Sequence, residues 1–145
     1  MFQRSKESFS EREERILALW RDKKVFEASI KARRKNKHFS FYDGPPFATG
    51  LPHYGHILAG TLKDVVARYK TMKGYCVPRR FGWDCHGLPV ENEIEKMHNL
   101  SGAVAIEEYG IARFNEECRK IVLRYVEEWK STVERMGRWV EFDRT

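Results

Sequence analysis

Apolar residues recur at helical spacing in several stretches of this chain, interrupted by two loops rich in glycine and proline. Ile16, Leu17 and Trp20 predict a first helix from Glu11 to about Lys23. Ser10 is placed to cap it while Glu13 reaches back, the arrangement of a capping box. Ile57, Leu58, Leu62, Val65, Val66, Tyr69 and Met72 predict a second helix from near Gly55 to about Lys73 that buries all seven. Gly74 suits its C-terminal cap, and Lys70 and Lys73 suit the negative end of its dipole. A short helix from about Val90 to His98 follows, with Pro89 at its start, then another short turn from Ser101 to Tyr109. The stripe Phe114, Cys118, Ile121, Val122, Tyr125, Trp129, Val133 and Met136 predicts one long helix from Ile111 to Met136, ended by Gly137.

Between the first two helices, His38 to Tyr42 is expected to be a short strand, stopped by Asp43-Gly44-Pro45-Pro46 because proline cannot donate to a sheet ladder. Tyr75 to Arg80 is the expected next strand. Strand, loop, helix and strand in that order imply a right-handed βαβ unit with a parallel sheet, hence an α/β fold. Ligands of such sheets bind beyond the carboxyl ends of the strands. The two loops, Gly44–His56 and Gly82–Pro89, both fall at that edge. The open edge of so small a sheet also predicts association. The chain has no internal repeat.

Composition narrows the classes. The 145 residues suffice for one domain with a core. Lysine and arginine number 27 against 21 acidic residues, a surplus of +6 that favours polyanionic partners. Lys31 to Lys37 is a concentrated basic run; the first reading is a solvated connector, the second a nucleic-acid contact. His38 and His98 are expected at the surface. Cys76, Cys85 and Cys118 show no paired spacing, which suits a reducing cytosol, and Cys118 lies in an apolar stripe. No apolar run has the length of a membrane span, and no signal-peptide core opens the chain, so a cytoplasmic location and no membrane partner are expected. Neither a Gly-x-x-x-x-Gly-Lys phosphate loop nor a Gly-x-Gly-x-x-Gly turn is present, which argues against P-loop and dehydrogenase chemistry. Zinc is not expected from Cys76, Cys85, His53, His56 and His86, which lack the short Cys-x-x-Cys spacing.

The chemistry-bearing candidates lie in the two loops. His53 and His56, three apart with Gly55 between them, sit at the mouth of the second helix, where backbone N–H groups and the dipole favour an anion such as phosphate. Glycine at 55 permits close approach to the backbone. In the second loop Asp84 reads as a cap on the following turn. Trp83 is expected to be packing.

The stretches Gly44-Pro45-Pro46-Phe47-Ala48-Thr49-Gly50, His53-Tyr54-Gly55-His56 and Gly82-Trp83-Asp84-Cys85-His86-Gly87-Leu88-Pro89 closely resemble the N-terminal catalytic region of class I aminoacyl-tRNA synthetases, and within them the isoleucyl type. Tyr54 stands where that class usually has isoleucine in His-Ile-Gly-His. The tail from Cys118-Arg119 to Gly137-Arg138-Trp139-Val140 is similar as well. The resemblance implies a Rossmann-like nucleotide-binding fold, with residues 1–38 as an N-terminal helical extension and 39–145 as the first half of the catalytic domain, ending before the editing insertion. It implies activation of isoleucine by ATP, taken with Mg2+, and transfer to tRNA(Ile) by a full-length monomer. The catalytic pair would be His53 and His56. ATP would meet His53, Tyr54, Gly55, His56 and Thr49; the amino acid would meet Pro45, Gly44 and Asp84. The Lys-Met-Ser-Lys-Ser loop of the class is not in the chain, so the piece alone is expected to be inactive. The abrupt end at Asp143-Arg144-Thr145 favours this reading over a free-standing nucleotide- or RNA-binding module derived from a synthetase.

Overall fold

The computed structural model describes residues 7–142, which are predominantly helical. The expectation of no signal-peptide core falls partly on residues 1–6, and these and the ending at Asp143–Thr145 lie outside the described residues. Seven helices occur among the described residues: α1 Phe9–Asp22, α2 Val25–Ala32, α3 Tyr54–Met72, α4 Leu88–His98, α5 Gly102–Tyr109, α6 Ile111–Ile121 and α7 Val126–Arg135.

Several expectations need correcting. The cap of α1 is Ser8, whose side chain accepts from Glu11 N, while Glu11 returns a contact to the Ser8 backbone; Ser10 and Glu13 already lie within the helix. Ser8-x-x-Glu11 is the same signature two residues earlier. The basic run begins inside α2, a helix the apolar pattern did not suggest, and turns out of it at Arg33. The expected long C-terminal helix is two. The Tyr125 N–H turns to the Ala48 carbonyl, 3.0 Å away, instead of continuing the helical ladder, and α7 starts afresh after it.

The parallel pairing is present in reduced form. His38 pairs with Cys76, Phe47 with Asp84 and Arg80 with Glu141, all parallel, but each is an isolated bridge, and neither 38–42 nor 75–80 forms a continuous strand. Proline at 45, 46 and 78 removes ladder donors, which limits how far each bridge extends.

The core has two centres joined at the first loop. Val90 and Ile94 of α4 pack on Phe114 and Ile121 of α6, with Phe47, Tyr109 and Cys118 beside them. Ala48, Trp129 and Val133 form the second centre with Phe81, Trp83 and Phe142, so Trp83 is packing as expected. Burying side chains such as Ile94 or Val90 contributes about 1.5–3 kcal/mol each. Phe47 and Ala48 thus stitch the glycine- and proline-rich loop into both centres.

Helix α3 departs most from expectation. Leu58, Leu62, Val65, Val66, Tyr69 and Met72 are exposed, between 45% and 75%. The helix turns its small residues inward instead: Gly60, Ala67 and Thr71 are its buried positions. Behind them lies a charged network. Asp43 meets Lys63 and Arg138. Asp64 meets Arg68 and Arg79 and accepts from the Trp139 backbone N–H at 3.2 Å. Arg79 is buried, donates to Thr71 Oγ1 at 2.6 Å, and is pushed down to about 10 by desolvation, with Asp64 opposing that shift. The Arg68 guanidinium lies 4.1 Å from the centre of the Trp139 ring and 4.9 Å from that of Trp20, which ties α1 to this network. No helix among the described residues is long and apolar enough to cross a membrane.

Candidate active site

The first turn of α3 carries the two histidines in one interlocked unit. His53 is the N-cap, in extended backbone, and its Nδ1 accepts from the Gly55 N–H at 3.1 Å. His56 Nδ1 accepts from the His53 N–H at 3.2 Å. The rings stack with centroids 3.7 Å apart and planes 29° apart. Because each Nδ1 accepts a hydrogen bond, each neutral ring carries its proton on Nε2. Two Nε2–H donors are thereby presented from one helix terminus.

This arrangement changes the source of the expected anion contacts. The His53 carbonyl accepts from the N–H groups of His56 (2.9 Å) and Ile57 (3.1 Å), and the His53 ring takes that of Gly55. Three first-turn donors are engaged, which leaves the ring Nε2–H groups as the outward donors of this turn. Gly55 has a local reason as well: a Cβ there would lie 3.0 Å from the His53 ring. His56 is held below the ordinary histidine value, first by desolvation and then by His53 and Lys63. It is therefore neutral at neutral pH.

Beneath the pair lies Trp129, a residue that the sequence pattern placed only in a core stripe. Its ring meets His56 edge-on at 4.7 Å, and its Nε1–H donates to the Gly50 carbonyl at 2.9 Å. One indole thus supports both the histidine and the end of the first loop. The demand of a buried indole N–H for an acceptor was the available signal. Lys63, also unremarked in the sequence, donates to the Gly44 carbonyl at 3.1 Å and fixes the loop's start.

The second loop runs alongside the first. Asp84 N donates to the Pro46 carbonyl at 2.9 Å, and a Cβ on Gly82 would touch Pro45 at 3.6 Å. Asp84 Oδ1 lies 3.5 Å from the His86 N–H, at the limit of a hydrogen bond, so the carboxylate is only lightly engaged by its own turn. Cys85 and His86 are exposed. The remaining candidates face different hollows. Pro45 lines a groove of about 540 Å³ with Tyr42, Asp43, Phe81, Gly82 and Trp83. Thr49 faces another, of about 550 Å³, with Gly50, Asn92, Glu93, Lys96 and Tyr125. Gly44 and Tyr54 are exposed. Away from the site, His38 is exposed as expected; His98 is half-buried against Tyr109, its Nε2 3.4 Å from the phenol oxygen, because α5 folds back over the end of α4.

Residues 15–145 match the family of tRNA synthetases class I (I, L, M and V), and the chain belongs to it. Among curated relatives it is 72% identical over 139 residues to the isoleucine–tRNA ligase of Protochlamydia amoebophila (strain UWE25), covering 96% of this chain and 13% of that protein. It is 64% identical over 141 residues to the isoleucine–tRNA ligase of Chlamydia abortus (strain DSM 27085 / S26/3), covering 97% of this chain and 14% of that one. The Chlamydia pneumoniae isoleucine–tRNA ligase is 62% identical over 140 residues, again 97% of this chain and 13% of the relative. The chain thus spans 13% to 14% of the length of these relatives.

Proposed function

We propose that this chain is the N-terminal part of the catalytic region of a cytoplasmic isoleucine–tRNA ligase, the opening half of a Rossmann-like nucleotide site. The three parallel bridges, at His38–Cys76, Phe47–Asp84 and Arg80–Glu141, are its incipient sheet. In the whole protein, a carboxylate oxygen of isoleucine attacks the α-phosphorus of ATP, taken as its Mg2+ complex. A P–O bond to the β-phosphate breaks, and isoleucyl-adenylate and pyrophosphate form. The adenylate then passes its acyl group to tRNA(Ile). Such a reaction asks the protein mainly for positioning and charge stabilisation.

The observation that carries this reading is the pair of Nε2–H donors, locked by stacking and capping at the start of α3. Their role is to donate to the phosphates, and His56, held below the ordinary histidine value, does so as a neutral ring. Gly55 and Tyr54 line the adenosine side, with Thr49 beyond. Gly44 and Pro45 border the amino acid, and Asp84, lightly engaged by its own turn, pairs with the α-ammonium.

The test is calorimetric titration of the chain with a non-hydrolysable isoleucyl-adenylate analogue. Saturable binding that is lost in both His56→Ala and Asp84→Ala is the expected result. Binding unchanged in both variants would remove these residues from the site.

A further inference from the structure

We propose that the end of α3 remote from the histidines, together with the turn behind α2, forms a docking surface for the phosphate backbone of RNA, built from Lys31, Arg34, Lys35, Lys37, Lys70 and Lys73. Two distant segments are pinned together there. Asn36 Nδ2 donates to the Gly74 carbonyl at 2.7 Å, Cys76 N to the Lys37 carbonyl at 3.0 Å, and Phe39 N to the Cys76 carbonyl at 2.9 Å. The basic run is therefore held against the C-terminal turn of α3. Lys70 Nζ stands 4.9 Å from the Phe39 ring centre and 5.3 Å from that of Tyr75, which keeps its charge at this surface.

The charges here differ from the cations of the network behind α3. Lys63, Arg68, Arg79 and Arg138 are each matched to Asp43 or Asp64. None of the six patch residues forms an ion pair among the described residues. Residues 28–42 and 65–83 contain no aspartate or glutamate at all. Lys31, Lys70 and Lys73 have a local account in the dipoles of α2 and α3, but Arg34, Lys35 and Lys37 do not. Two of the three bonds belong to the His38–Cys76 bridge, and the Asn36 side chain adds the third. Convergent unpaired cations with aromatic faces among them are what a nucleic-acid backbone with its bases requires. The basic run offers only Ala32 as an apolar side chain, too little for insertion into a lipid surface. Helix α3 is 19 residues long, ~28 Å at 1.5 Å per residue, so this surface is separate from the histidine site. Only the identity of the RNA as tRNA rests on the ligase reading; the charge argument stands without it.

The experiment measures fluorescence anisotropy of a labelled tRNA transcript and of an unrelated RNA hairpin, titrated with the chain over a range of salt concentrations. Lys35→Glu/Lys37→Glu/Lys73→Glu is expected to weaken binding at least tenfold and to shallow the log–log salt slope by about 2–3, since each phosphate contact contributes 0.7–0.9. Asn36→Ala, which removes the one side-chain tie between the two segments and keeps all six charges, weakens binding less than the triple charge reversal does. A charge-matched control, Lys96→Glu/Arg119→Glu/Lys120→Glu, stays within about twofold of wild type, and far-UV circular dichroism confirms that each variant is folded. No RNA binding by the wild type at low salt, an unchanged affinity in the first variant, or an equal loss in the control overturns the proposal. So does wild-type binding to vesicles rich in phosphatidylserine with none to RNA. Loss of RNA binding in the patch variant supports the surface even where the adenylate analogue fails to bind, an outcome that would count against the ligase reading alone.

Discussion

His53 and His56 are stacked at 3.7 Å, and each ring accepts a backbone N–H through Nδ1. The contact is at once a helix cap and a way of choosing tautomers. Protonation of His56 is opposed by burial first and then by its neighbours His53 and Lys63. The same bonds leave Nε2–H on both rings as the outward donor. Structure and candidate chemistry therefore share atoms, and substitutions can separate them.

His53→Asn keeps a side-chain acceptor for the Gly55 N–H but removes the ring donor. Its stability is expected to remain within about 0.5 kcal/mol of wild type, whereas His53→Ala costs about 1 kcal/mol through loss of the cap. Adenylate-analogue affinity falls in both by roughly tenfold or more, the scale of one hydrogen bond to a charged group. Urea denaturation and calorimetry read the two effects independently.

The depressed His56 value sets a pH dependence. Its folded form prefers to be neutral, so nothing is lost above the ordinary histidine range. As pH falls below about 6.5 the unfolded chain gains a proton that the folded chain takes up only at lower pH, and stability declines across that interval. Protonation also removes the Nδ1 acceptor that holds the His53 N–H. Thermal melts at pH 7.5 and 5 are expected to show a smaller drop for His56→Gln than for wild type.

Helix α3 reverses the usual cost of apolar substitution. Leu62 is 60% exposed and Ala67 only 1%. Leu62→Gln is expected to change unfolding free energy by less than about 0.5 kcal/mol, while Ala67→Leu costs about 1–3 kcal/mol by overpacking. Sedimentation velocity on Leu62→Gln is expected to show less self-association than wild type, since it interrupts a continuous apolar stripe.

The charged network behind α3 gives a sharper contrast. Asp64→Ala strands buried Arg79 and the Trp139 N–H together, an expected loss of about 3–5 kcal/mol. Glu116→Ala breaks only the exposed pair with Arg119 and changes stability by less than about 0.5 kcal/mol. Guanidinium titrations of the two variants measure the difference.

Local signals were legible in the chain wherever a residue's role depends on its near neighbours. The bounds of α3, the C-terminal position of Gly74, the place of Pro89 in the first turn of α4 and the juxtaposition of His53 with His56 all follow from spacing within a single turn or cap. The parallel direction of pairing followed from element order, and the bridges run that way. The motifs also carried the family, because close chemical contacts with a ligand dictate residue type as well as position.

What no local pattern contains is the partner across the fold. Periodicity shows that Leu58, Leu62, Val65 and Met72 share a face; it does not show what that face meets, and the buried side of α3 is set by small residues that let Arg138 and Met136 approach Gly60. The break before α7 arises because Ala48, far back in the chain, captures the Tyr125 N–H. Trp129 comes to support His56 and Gly50 for the same reason. Sequence alone determined the extent of α3, the two loops and the family that their motifs carry. Tertiary structure decided which faces are covered and which side chains brace the site, since those depend on long-range hydrogen bonds and packing between segments that the chain order does not pair.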